Sequence, residues 1–209
     1  MILKPICDIL DQFYPDPPIP LDFSSPFTLL IAVVLSAQCT DKRVNAVTPA
    51  LWAHGTSPAD IADLPVQTLT DIIRPCGLST RKADAIHNIS KILMQKYHGE
   101  VPSDRTALEA LPGVGRKTAN VLLSHVFNIP AFPVDTHVMR LAKRWNWSNG
   151  NSPEAVERDL CSLFPPELWI KRHLQMILFG RNYCTARGHD NSKCPACRLI
   201  IQKVPQIPA

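Results

Sequence analysis

No stretch of this 209-residue sequence is apolar for long enough to cross a bilayer. A membrane helix needs roughly 20 apolar residues, and the longest run here, FTLLIAVVLSA from Phe27 to Ala37, reads as a buried core helix. A secretory signal is missing too, because MILKPICDIL contains an acid and lacks a cleavage site after a hydrophobic core. Both absences predict a cytoplasmic protein with no membrane partner. An even set of cysteines is lacking, and seven do not make a disulfide framework. Cys7, Cys39, Cys76 and Cys161 read as free thiols in apolar or helical settings, whereas Cys184, Cys194 and Cys197 form a separate cluster. There is no large charge excess. Lys and Arg number 22 against 18 Asp and Glu, a net +4 that is compatible with a polyanionic partner without being diagnostic of one. Period-two alternation long enough for a sheet is absent, and so is any convincing internal repeat.

What remains is helical. Hydrophobic residues make up 45% of the chain, an ordinary globular content. Helical periodicity covers residues 27–38, 42–53 (with Pro49 as a kink or break), 57–64, 66–77, 79–99, 103–110 and 116–127. Further helices are expected from Thr136, where Asp135 is placed as a cap, over 152–163 and over 166–183. The tail QKVPQIPA reads as extended. About ten short helices joined by short turns predict an all-α protein.

One interruption stands out, LPGVGRKTANVLL from Leu111 to Leu123. Helix, Leu-Pro-Gly-Val-Gly, helix describes a helical hairpin. Leu111 and Val114 anchor the turn from beneath, while Gly113 and Gly115 permit positive φ and close backbone approach. The second helix then begins with unpaired backbone N–H groups on a bare surface, a site suited to a phosphate. A tight connection with no ligand explains the same glycines. Lys117 is by default a solvated surface residue. At the positive end of a helix and beside Arg116, a further cation is disfavoured, and a neutral lysine amine attacks carbon centres to form Schiff bases. Asp135, immediately before THVMRLAKR, has the residue type and position of a helix N-cap.

The wider string is more specific. PFTLLIAVVLSAQCTDKRVN, CGLSTRKADAI, EVPSDRTALEALPGVGRKTANVLL, PAFPVDTHVMRLAKR and the cysteine tail occur in an order that resembles the helix-hairpin-helix DNA glycosylase superfamily, specifically its bacterial endonuclease III members. The resemblance spans nearly the whole chain. It implies a six-helix domain over about 22–131 with the hairpin at about 104–126, and a second helical domain from 1–21 plus 132–209 with a cysteine-containing loop at 183–203. DNA is expected in a groove between the two. By this resemblance Lys117 attacks the sugar C1′ of a damaged nucleotide, and Asp135 is the carboxylate that helps deprotonate it and stabilises oxocarbenium-like charge. Gln38 fills the stack vacated by the extruded base and Leu78 wedges near the opposite strand. Gly113, Val114, Gly115 and Arg116 belong to the DNA-facing set, and Asp41 and His137 resemble other groove-side positions. Lys42, Arg43, Arg81, Lys82 and Arg140 join Arg116 as candidate phosphate-facing cations.

The implied activity is a bifunctional DNA glycosylase and abasic-site lyase of base excision repair, acting as a monomer, associated with the bacterial nucleoid, on duplex DNA with oxidised pyrimidines or abasic sites. A monofunctional glycosylase of the same fold and a non-catalytic DNA-binding module are the rival readings. The family's tail carries C-x6-C-x2-C-x5-C around a [4Fe–4S] cluster. This chain has C-x9-C-x2-C and then Lys203 at the fourth position. His189 is a candidate fourth ligand, and a cluster, a zinc ion or no metal all remain open for Cys184, Cys194 and Cys197.

Overall fold

The computed structural model describes residues 2–203, all in helices and connecting turns with no strand among them. Twelve α-helices are described: α1 (Leu3–Phe13), α2 (Pro26–Leu35), α3 (Asp41–Trp52), α4 (Pro58–Asp63), α5 (Val66–Ile73), α6 (Ser79–Tyr97), α7 (Arg105–Glu109), α8 (Arg116–His125), α9 (Thr136–Arg144), α10 (Pro153–Leu163), α11 (Trp169–Asn182) and α12 (Pro195–Lys203). Most starts are written in the sequence. Ser25 and Ser57 form reciprocal capping boxes with Thr28 and Asp60, and both helices have proline in the first turn. Thr40, Asp104, Asp135 and Ser152 each accept a backbone N–H of the first turn that follows.

Two local readings need correction, and one helix is added. Pro49 lies within α3 and does not end it. α1 is a helix although its N-cap position, Ile2, offers no side-chain acceptor; burial of Ile6, Cys7 and Leu10 holds it. α12 occupies Pro195–Lys203, so the expected extended tail is helical at residues 202 and 203. The rest of that tail, 204–209, lies outside the described residues.

The chain divides into two compact units, one of Ile19–Ile129 and one combining the residues up to Pro18 with those from Pro130 onward. In the first, α2 is buried almost throughout. Leu29, Leu30, Ile31 and Leu35 are wholly removed from solvent, each worth about 1.5–3 kcal/mol relative to exposure. In the second, α1, α9, α10, α11 and α12 enclose Phe132, Trp145, Trp147, Phe164 and Phe179. The Trp145 and Trp147 rings meet edge to face at 4.8 Å. Cys184, Cys194 and Cys197 belong to this same core.

Candidate active site and metal centre

Within Ile19–Ile129, α7 and α8 make the expected hairpin, with Leu111 and Val114 buried under the turn. Gly113 has φ +74, a conformation that needs glycine, and a Cβ there would stand only in ordinary contact with Ala85 (3.5 Å) and Val34 (3.9 Å) of α6 and α2. Gly115 departs from expectation. Its backbone is extended (φ −103, ψ 179), which any residue adopts, and a Cβ added to it would meet nothing within 4 Å. The fold therefore does not explain this glycine; it leaves the start of α8 bare. No side chain caps α8. Arg116 is exposed at the first helical residue, and Lys117 follows, half-buried. At the far end of α8, burial and then the Lys117 charge hold His125 down at about 4.

Gln38 and Leu78 are both exposed, and both sit in the left-handed region, at φ 53 and φ 51. That conformation costs a non-glycine residue about 1–2 kcal/mol. The strain is sustained from below by Lys82, which donates from Nζ to the carbonyls of Leu35 (2.8 Å) and Cys76 (2.9 Å). One carbonyl closes α2 just before Gln38, and the other precedes Gly77 and Leu78. Lys82 is buried, so it is not the phosphate-facing cation that its spacing predicts. Cys39 and Cys76 also touch across the two turns; burial, then the neighbouring Cys39, push the Cys76 thiol up to about 11.

Asp135, His137 and the cysteines lie in the other unit. Asp135, half-buried, caps α9 by accepting from Val138 N–H at 2.8 Å through Oδ1. His137, Arg140 and Arg144 follow at helical spacing on one face. Arg140 donates to the Gly180 carbonyl (2.9 Å), to the Cys184 carbonyl (3.1 Å) and to His137 Nδ1 (3.1 Å), which must accept because a guanidinium only donates. Arg140 is thus tied to backbone carbonyls and to His137. Burial chiefly lowers the His137 imidazole from its ordinary range, partly offset by the Asp135 charge. Arg144, which the sequence reading passed over, donates to Cys184 Sγ (3.3 Å) and to the Thr185 carbonyl (2.7 Å). The i, i+3, i+7 spacing of His137, Arg140 and Arg144 was the signal that could have found it.

Cys184, His189, Cys194 and Cys197 converge, their ligand atoms all within 4.8 Å of one another, and this group can hold a metal. The three cysteines are buried at 0%, 2% and 4% exposure. Each thiolate of a [4Fe–4S] cubane binds a different iron, so the iron–sulfur body spreads its ligands well beyond such a separation. The residues present do not fit that cluster. With Lys203 at the family's fourth cysteine position, the fourth donor is an imidazole inside the loop.

Comparison with known proteins follows this geometry. The sequence profile of the HhH-GPD superfamily base excision DNA repair proteins matches residues 31–166. The chain is 45% identical over 183 residues to endonuclease III of Escherichia coli (strain K12), covering 88% of this chain and 85% of that one. It is 42% identical over 195 residues to endonuclease III of Bacillus subtilis (strain 168), covering 92% and 88%. The structure of a trapped endonuclease III–DNA covalent intermediate superposes with a TM-score of 0.86 at 45% identity, covering 90% of this chain and 89% of that one.

Proposed function

The chain belongs to the HhH-GPD superfamily of base excision DNA repair proteins, and on that premise we propose that Lys117 is its nucleophile and Asp135 its catalytic carboxylate. It is a bifunctional DNA glycosylase and abasic-site lyase of base excision repair. The observation that carries the assignment of Lys117 is its place at the second residue of α8, a helix with no side-chain cap behind a turn that Gly115 leaves bare. A DNA phosphate held by the first N–H groups of α8 fixes the strand at a set height from that amine.

The chemistry proceeds in balanced steps. Asp135 takes a proton from the Lys117 ammonium, and the free amine bonds to C1′ as the bond from C1′ to the base nitrogen breaks. Asp135 passes that proton to the leaving base, and its regained carboxylate opposes the positive charge that builds on the sugar as that bond lengthens. Loss of the second amine proton and opening of the sugar give an imine between Nζ and C1′. The imine acidifies C2′–H, and removal of that proton expels the 3′ phosphate by β-elimination. Water then hydrolyses the imine and frees Lys117. The substrate class in this proposal is an oxidised pyrimidine or an abasic site in duplex DNA. Gln38 and Leu78 fill the space of the extruded nucleotide. The turn Gly113, Val114, Gly115, with Arg116 and His137, contacts the strand.

Borohydride reduces the imine to a stable amine, so it tests the mechanism directly. Wild-type protein mixed with a thymine-glycol or abasic duplex is expected to become covalently attached to DNA. Lys117→Gln is expected to lose attachment and strand cleavage while still binding the duplex. Retained cleavage by that variant would exclude Lys117 as the nucleophile and favour a monofunctional glycosylase.

A further inference from the structure

We propose that Cys184, His189, Cys194 and Cys197 bind one tetrahedral divalent metal ion, zinc in the cell, in the place where relatives with four cysteines hold an iron–sulfur cluster. The separations carry the inference. Cys184 Sγ lies 3.7 Å from Cys197 Sγ and 3.8 Å from His189 Nε2, and that nitrogen lies 3.4 Å from Cys197 Sγ. Two thiolates each ~2.3 Å from a common tetrahedral centre stand ~3.8 Å apart, and a thiolate and an imidazole nitrogen ~3.5 Å apart. Those match the three edges among Cys184, His189 and Cys197, and the Cys194 thiol lies within 4.8 Å of each of them. Three thiolates and one imidazole are also a donor set that structural zinc takes, with no position left for solvent.

The chain is arranged to deliver these donors. Cys184 follows α11, with its N–H bonded to the Phe179 carbonyl at 2.9 Å. Cys194 occupies the cap position of α12, its carbonyl accepting from Arg198 N–H at 2.9 Å, and Cys197 lies in the first turn. Two donors three residues apart at a helix start lie on one side of it, with the positive helix end near their thiolates. His189 closes the set from the intervening loop. Arg144 supplies the outer contact, donating to Cys184 Sγ at 3.3 Å, where its charge offsets the net negative charge of three thiolates on a divalent ion. An open hollow of about 460 Å³, walled by Arg144, Gly188, His189 and Cys197 among others, gives the ion a way in.

The ion's work in this assignment is mechanical. It closes residues 184–197 into a loop and pins α12 to the core, while Arg140 and Arg144 fasten the same loop to α9, which Asp135 caps. This stands whether or not Lys117 is the nucleophile, because its test reads metal and not turnover.

The full-length chain, purified without added metal, is expected to contain about one zinc per molecule and neither acid-labile sulfide nor iron–sulfur colour. Cobalt(II) added to the chelator-treated protein is expected to reach one equivalent and to give the visible bands of a tetrahedral thiolate site. His189→Cys, which offers a fourth thiolate, should keep the ion and strengthen the sulfur-to-cobalt band. Arg144→Gln should weaken cobalt binding by about 10- to 100-fold with the bands unmoved. Iron with stoichiometric sulfide would overturn the proposal. So would a folded chain that takes up neither zinc nor cobalt, or a His189→Cys spectrum identical to wild type.

Discussion

Lys82 is buried, and two of its donors close the backbone beneath Gln38 and Leu78. Burial lowers its ammonium from the ordinary lysine value, yet the carbonyl of Leu35 at the negative end of α2 suits a cation. Lys82→Met keeps most of the packing and leaves two carbonyls without this donor. Urea unfolding is expected to show a loss of about 2–3 kcal/mol, and an unchanged midpoint would mean the bridge is idle. Leu78 makes the converse case. It is 49% exposed and held left-handed, so Leu78→Gly relieves strain of about 1–2 kcal/mol while burying nothing less. Thermal unfolding is expected to stay level or move upward as excision of an oxidised pyrimidine falls. A clear drop in stability would show that Leu78 holds the fold and not the DNA.

α9 combines capping, clamping and the proposed chemistry in nine residues. The cap bond of Asp135 and its proposed catalytic role are separable by substitution. Asp135→Ser keeps an N-cap acceptor and is expected to hold stability within a few tenths of a kcal/mol while abolishing excision; Asp135→Ala should lose about 1 kcal/mol in addition. Retained excision by Asp135→Ser would assign Asp135 to structure alone. Gly180 governs how α9 meets α11, since a Cβ there would stand 3.1 Å from the Arg140 guanidinium and 3.2 Å from His137 Cβ. Gly180→Ala must therefore displace the arginine that grips the Cys184 carbonyl. Calorimetry is expected to show a loss of about 1–2 kcal/mol.

Across the molecule, acid stability follows from groups with shifted titration. His125, at about 4, is neutral in the folded chain well below the ordinary histidine value of ~6.5, and burial lowers His137 in the same direction. The unfolded chain binds those protons first. Their contribution is therefore complete above pH ~6.5 and fades as the pH falls toward 4. Asp11 acts lower. Its burial works against ionisation, but the bidentate Arg172 pair (2.9 Å each), Gln175 and Lys171 hold the carboxyl well below its usual range. Its contribution is present above pH ~4 and is lost below that. Denaturant midpoints measured from pH 8 to 3 should decline first through the histidine window and then more steeply. His125→Gln should flatten the first segment, and an unchanged slope there would discount His125.

Capping residues, helical spacing and the order of short motifs are local properties. They made the all-α class, the Lys117 hairpin and the Asp135 cap legible without coordinates. α1 escaped because no side-chain cap announces its start; it exists through the core it covers, and α12 likewise packs Ala196 and Cys197 into that core. Spacing likewise presented Lys82 as a surface cation, since charge can be read from a sequence and burial by distant carbonyls cannot. The glycine of Gly115 was read as a backbone necessity, although its dihedrals demand nothing. Most of all, C-x9-C-x2-C left cluster, zinc and no metal all open. Only the fold brings His189 within 3.8 Å of two thiols 5 and 8 residues away, because metal geometry is a matter of distances in space and sequence records only distances along the chain.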